Sequence, residues 1–186
     1  VRAYMQQGLY VEALNTLEGA NAWQLSQQEA VELLLIRARI LRSIGLQNKA
    51  IAILGEKGQF LPSSELRGRV ALELASCCID AGDLERARKT LSETLTLVEP
   101  GPLAQQIGCE LARICLRLGQ SGQAISVCLQ LLEHTDDSAE KRQIQTLLAE
   151  AYRQQEQYDR AVSVLLEAPT ASSSSGGALP NPGVGI

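Results

Sequence analysis

Small residues recur every 37 positions along this chain: Ala13, Ala50, Ala87, Ala124 and Ala161 fall in one column. Gly8, Gly45, Gly82 and Gly119 form a second column five residues upstream, interrupted by Glu156. A fixed period of this length means stacked supersecondary units, because no one unit buries its apolar face without a neighbour. Of the residues, 45% are hydrophobic but only 3% aromatic, so the interior is aliphatic and alanine-rich. That composition suits close helix-on-helix packing and disfavours a β-sandwich, which draws on β-branched and aromatic side chains.

Each unit reads as two amphipathic helices, A and B. In one unit, Ser26 and Glu29 form a capping box that opens helix A. Leu34, Ala38 and Leu41 then follow with helical spacing. Gly45 supplies the left-handed residue that ends the helix, and helix B runs from about Asn48 to Lys57 with Ala50, Ile51 and Leu54 inward. Asp137 and Glu140 predict a second capping box, ahead of Leu148, Ala149 and Tyr152. Ala38, Ala75, Ala112 and Ala149 form the small column of helix A. A larger side chain there pushes the helices apart, at about 1–3 kcal/mol for overpacking.

The small residue in helix A, the column Tyr4, Leu41, Cys78, Cys115 and Tyr152, and the turn Gly82-Asp83-Leu84-Glu85-Arg86-Ala87 resemble the tetratricopeptide repeat family. The resemblance spans nearly all of residues 1–168 and implies an all-α, right-handed α-solenoid of antiparallel helix pairs. It divides the chain into a partial unit at 1–20 and full units at 26–57, 63–97, 101–134 and 137–168. Two departures stand out. The family's usual unit is about 34 residues long, so each unit here adds residues in the B-to-A connection, and the family's helix-A tryptophan is missing. Chaperone-binding members hold a C-terminal carboxylate in a Lys/Asn clamp; the matching columns here contain neither residue, so chaperone-tail binding is not expected.

The connections carry their own column, Trp23, Phe60, Leu97 and His134, expected to pin each connection to the solenoid as an apolar anchor. His134 is therefore a structural residue in this reading. The five cysteines lack zinc-type spacing, and Cys78, Cys115 and Cys128 occupy core columns, so they read as small buried apolar residues. Free buried thiols favour a reducing compartment, hence a cytoplasmic location. After Ala168 the chain becomes a Ser-, Gly- and Pro-rich stretch, 169–186, without charge, which reads as a flexible tail or linker. The chain starts at Val1 inside a helical pattern and reads as a fragment, which leaves a targeting segment upstream open. Val162, Leu165 and Leu166 are expected to be partly exposed on an uncapped last helix, which offers a route to self-association.

The resemblance implies that the A helices line a concave groove. Seven of the thirteen arginines fall on that inferred face: Arg2, Arg39, Arg42, Arg69, Arg113, Arg117 and Arg153. None of the four lysines does. Arginine forks suit carboxylates, so the groove is expected to hold a peptide or partner protein with acidic side chains. Leu35, Leu72, Ile79 and Leu116 supply apolar contact in this reading, and the chain's own acidic residues are expected mainly on the convex side. Ordinary solvated arginines partly neutralised by Glu32, Asp80 and Glu150 are the competing interpretation.

No enzyme is expected. One histidine, scattered cysteines and single glycines at helix ends assemble no nucleophile, metal or phosphate site, and no cofactor is implied. A net charge of −4 and the lack of aromatic platforms on the arginine face disfavour RNA binding. An architectural or self-association module within a larger protein is the other alternative. No stretch approaches the roughly 20 apolar residues that span a bilayer.

Overall fold

A computed structural model describes Tyr10, Glu12, residues 25–58 and residues 60–166. Arg2, Trp23, the tail 169–186 and all of the partial first unit except Tyr10 and Glu12 lie outside the described residues. The helices are α1 (Gln27–Ser43), α2 (Gln47–Gly58), α3 (Ser64–Asp80), α4 (Leu84–Leu95), α5 (Pro102–Arg117), α6 (Ser121–Glu133), α7 (Ser138–Gln154) and α8 (Tyr158–Leu166), with no strand among the described residues. The Ser26–Glu29 capping box opens α1, with the Ser26 N–H donating to Glu29 Oε2 at 2.9 Å. That bond holds the Glu29 carboxyl below its ordinary value. At α7 the cap is one-sided: the Asp137 carboxylate accepts from the backbone N–H groups of Ala139 and Glu140, without the reciprocal bond that a box requires.

Every helix packs on the next, and the A helices also pack on one another: α1 on α3, α3 on α5, α5 on α7. The B helices are splayed: α2, α4 and α6 are each wedged between their own A helix and the following one, and α8 packs on α7. An array whose neighbours touch more closely in one layer than in the other curves toward the closer layer. The A helices are therefore the inner layer and the B helices the outer.

Four turns repeat one backbone device. Gly45, Gly82, Gly119 and Glu156 adopt φ of 78°, 80°, 71° and 61°. In each, the next residue's N–H reaches back five positions, as Leu46 to the Leu41 carbonyl, Asp83 to Cys78, Gln120 to Cys115 and Gln157 to Tyr152. These are Schellman closures, which satisfy carbonyls left over at a helix end. The left-handed region is open to glycine and strained for glutamate. Glu156→Gly is accordingly expected to stabilise the array by about 1 kcal/mol, read as a rise of about 3 °C in Tm by circular dichroism. An unchanged or lower Tm contradicts this assignment of strain.

The alanine columns are interior. Ala38, Ala50, Ala87, Ala112 and Ala124 have no exposed surface, and Leu54 and Leu91 are sealed between them and the neighbouring helices. Two further helix-A positions require still closer approach. A Cβ on Gly68 lies 2.8 Å from Leu103 Cδ2, and one on Gly108 lies 2.7 Å from Leu131 Cδ2.

The connection column is corrected by the structure. Phe60 is 81% and Leu97 53% exposed, and His134 faces solvent at the end of α6. The anchors sit one residue later: Leu61 and Val98 pack on the core, and Thr135 is buried. The Thr135 hydroxyl donates to the Leu131 carbonyl and accepts from Gln105 Nε2. A one-residue change of register in a non-helical segment turns the side chain to the other side, and the bulk of Trp23 and Phe60 pointed to the wrong column.

All five cysteines are free and buried. Burial pushes the Cys77 thiol up to about 11, helped by Glu73, and the Cys128 thiol up to about 12. Since the thiolate is the nucleophile, the native chain is expected to resist iodoacetamide at neutral pH and to take up five labels once unfolded, by mass spectrometry. A thiol whose pKa rises on folding favours the native state fully below its ordinary 9.0 and loses that contribution as pH climbs through the folded value. The thiols' contribution to stability is thus expected to decline only on the alkaline side, above about pH 9.

Candidate functional site

The inner layer presents a row of arginines separated by aliphatic side chains. Helical periodicity puts Leu35, Arg39 and Arg42 on one face of α1, and Arg69, Leu72, Ser76 and Ile79 on the matching face of α3. Leu35, Arg39, Arg69 and Leu72 come together with Leu103 and Gln106 around an open groove of about 260 Å³. Arg113 borders a second hollow of about 150 Å³ between α5 and α7, with Gln106, Cys109 and Gln143. Arg117 and Arg153 sit near the α5 and α7 C-termini, apart from both hollows. Of the aliphatic residues, Leu35 is almost wholly buried, while Leu72, Ile79 and Leu116 are half-buried against the core.

Several of the chain's own carboxylates share this face, among them Glu32, Asp80 and Glu150, which the sequence already placed there. Arg39 Nε donates to Glu73 Oε2 at 2.7 Å, and Arg42 Nη1 lies 3.2 Å from Glu73 Oε1. Arg42 Nε also approaches Asp80 at 3.4 Å, and Arg69 approaches Glu32 at 3.9 Å. Further along, the pairs are local: Glu110 with Arg113, and Glu150 with Arg153. The Arg153 fork holds the Glu150 carboxyl below its ordinary value and is itself raised by the same bonds. Arg117 alone of the row has no carboxylate partner among the described residues.

Glu73 and Glu110 are the partners of this arginine row that the column argument missed. They stand one repeat apart, and each lies three residues before the column of Arg39 and Arg113. A carboxylate three residues before an arginine on a helix is a neighbour, so the Glu110–Arg113 pair was legible, whereas Glu73 precedes Ser76 and takes its arginines from another helix. Glu73 is 7% exposed, whereas Arg39 and Arg42 are 53% and 31% exposed. The buried carboxylate thus fixes two guanidinium groups, of which that of Arg39 lines the groove. Its Oε1 meets Arg42 as an ionic contact without hydrogen-bond alignment.

Among the described residues, no group of three His, Cys, Asp or Glu is placed to hold a metal ion. No described helix is long and apolar enough to cross a membrane.

Comparison with known proteins agrees with the geometry. The tetratricopeptide repeat family matches residues 109–176. None of the curated proteins matches the sequence. Among solved structures, nearly identical TPR-like repeats of a putative kinesin light chain from Podosopora anserina superpose with a TM-score of 0.69 at 22% identity, covering 89% of this chain and 88% of that one. The protein MamA superposes with a TM-score of 0.67 at 17% identity, covering 90% and 85%. BtubC (BKLC) from P. vanneervenii gives 0.56 at 16%, covering 95% and 94%. At these identities the likeness is one of fold.

Proposed function

We propose, for a chain that carries tetratricopeptide repeats, that its inner face holds a segment of a partner protein and that the chain catalyses nothing. Repeats of this kind support protein–protein interaction in general. The specific reading is that the partner lies along the groove lined by α1, α3 and α5, with apolar side chains on Leu72 and Leu103. Its carboxylates or backbone carbonyls meet the free N–H donors of Arg39 and Arg69, and Arg113, Arg117 and Arg153 extend the row. The observation that carries it is the Glu73 clamp. Glu73 uses the Nε–H of Arg39 and leaves the outer nitrogens, so the guanidinium is oriented before a ligand arrives. Preorganised donors lose less entropy on binding than free ones.

Because the row is nearly neutralised by its own carboxylates, partner acidity tunes binding here and shape supports it. The test is selection of short peptides from a displayed random library, followed by affinity measurement on Arg69→Glu/Arg113→Glu/Arg117→Glu. This set spares the Glu73 pairs that the fold uses. Charge reversal is expected to weaken a class of selected peptides at least tenfold, corresponding to about 1.4 kcal/mol. Unchanged affinity for every selected peptide overturns the groove assignment.

A further inference from the structure

A cluster of positive charge with little neutralisation lies on the outer layer, away from the groove. Between α2 and α4, over the floor formed by α3, is an open cleft of about 390 Å³. Arg67 from α3 and Arg86 and Lys89 from α4 line it, with Glu93 as its single carboxylate. Lys89 makes only a long contact with Glu93, 3.9 Å between two exposed groups. Arg67 Nε is buried and has no hydrogen-bond partner among the described residues. A buried donor left unmatched is costly, the more so on a charged group.

The repeat itself does not ask for these residues. One period on, the positions of Arg67, Arg86 and Lys89 hold Ala104, Gln123 and Ser126, and the helices pack in the same way. The opening is equally particular to this unit. Gly55 and Gly58 of α2 border the cleft, where the next outer helix has Ser92 and Leu95. Gly58 sits close against α3, since a Cβ there lies 3.0 Å from Val70 Cγ1. Gly55 is not: the nearest atom to its Cβ is Arg86 Nη2 at 3.9 Å. A helix-interior glycine costs about 1 kcal/mol relative to alanine, and here its effect is to keep room beside a guanidinium. At the rim, Leu97 lines the cleft while half exposed.

We propose that this outer cleft is a second docking site, for an acidic segment of a partner protein whose carboxylates pair with Arg67, Arg86 and Lys89 and whose apolar side chains rest on Leu97. The argument is charge complementarity: two arginines without carboxylate partners and a lysine face one glutamate, in a chain whose net charge is −4. The inner row, in contrast, is paired almost throughout. The inference does not depend on the inner groove, and two sites on opposite layers let one chain bridge two partner segments.

The test uses peptides selected from a displayed random library on the whole chain, with dissociation constants measured on three variants. Arg67→Gln/Arg86→Gln removes charge from the cleft; Gly55→Leu fills it without altering charge; Arg69→Glu/Arg113→Glu alters only the inner face. Circular dichroism checks that each is folded. A class enriched in Asp and Glu is expected to weaken at least tenfold on both cleft variants and less than twofold on the inner-face variant. Its affinity should also fall with added salt. Acidic peptides that bind both cleft variants as tightly as the unaltered chain overturn the proposal. So does a selected pool without acidic enrichment, or one in which only the inner-face variant loses binding. Retention of inorganic phosphate by the cleft with no acidic peptide selected overturns it as well.

Discussion

Replacing Arg39 and Arg42 together by alanine is expected to destabilise the array by about 3 kcal/mol, although both side chains are substantially solvated. The loss comes from Glu73. With both partners gone its carboxylate stays buried beneath the inner face without a countercharge, and breaking a buried pair from one side is what makes such pairs expensive. The figure stands at the lower end of the usual range because truncating two long side chains admits water. Each single substitution leaves the other guanidinium in place and should cost about 1 kcal/mol. The double substitution therefore exceeds the sum of the singles. Adding Glu73→Leu to the double variant is expected to recover most of the loss, since no charge is then stranded. Urea unfolding followed by circular dichroism measures all four. An additive double variant, or a triple variant without recovery, contradicts the clamp.

The other large effect concerns shape. Gly108→Val should destabilise by about 3 kcal/mol, because its Cβ would lie 2.7–3.0 Å from three carbons of Leu131, including Cγ. Movement of a side-chain tip alone does not relieve a clash at Cγ, and Leu131 is itself buried. Gly108→Ala should cost less, since alanine regains about 1 kcal/mol of helix propensity against the same contact. Gly55→Ala, in a position without that contact, should be neutral or stabilising. If Gly108→Val and Gly55→Ala have equal effects, close approach between α5 and α6 does not account for the glycine.

Both results turn on residues that the repeat pattern does not mark. Ala50, Ala87 and Ala124 could be placed in the interior from their spacing alone, because a buried contact repeated in space leaves a repeated residue in sequence. The turn at Glu156 is the informative exception. Its column is set by the backbone geometry of a helix end, and the chain keeps that geometry with a residue poorly suited to it. Loop residues were less legible. Phe60 and Leu97 share a column with Trp23, but the connection has no regular period, so bulk gave the wrong register and Leu61, Val98 and Thr135 make the contacts.

The inner face divides in the same way. That Arg39, Arg42, Arg69 and Arg113 share it follows from helical spacing, with Leu35 and Leu72 between them. How they are partnered does not, since the Arg39–Glu73 and Arg42–Glu73 contacts join two helices 34 and 31 residues apart in the chain. The outer cleft is further removed still: Arg67 comes from α3, Arg86 and Lys89 from α4, and the space between them from a missing side chain on α2. The order of amino acids alone determined the period, the pairing of helices and the small-residue seams, because each is a local property copied along the chain. Which charges are quenched, which are left open and where space remains was decided only by stacking, since those depend on groups that meet across units.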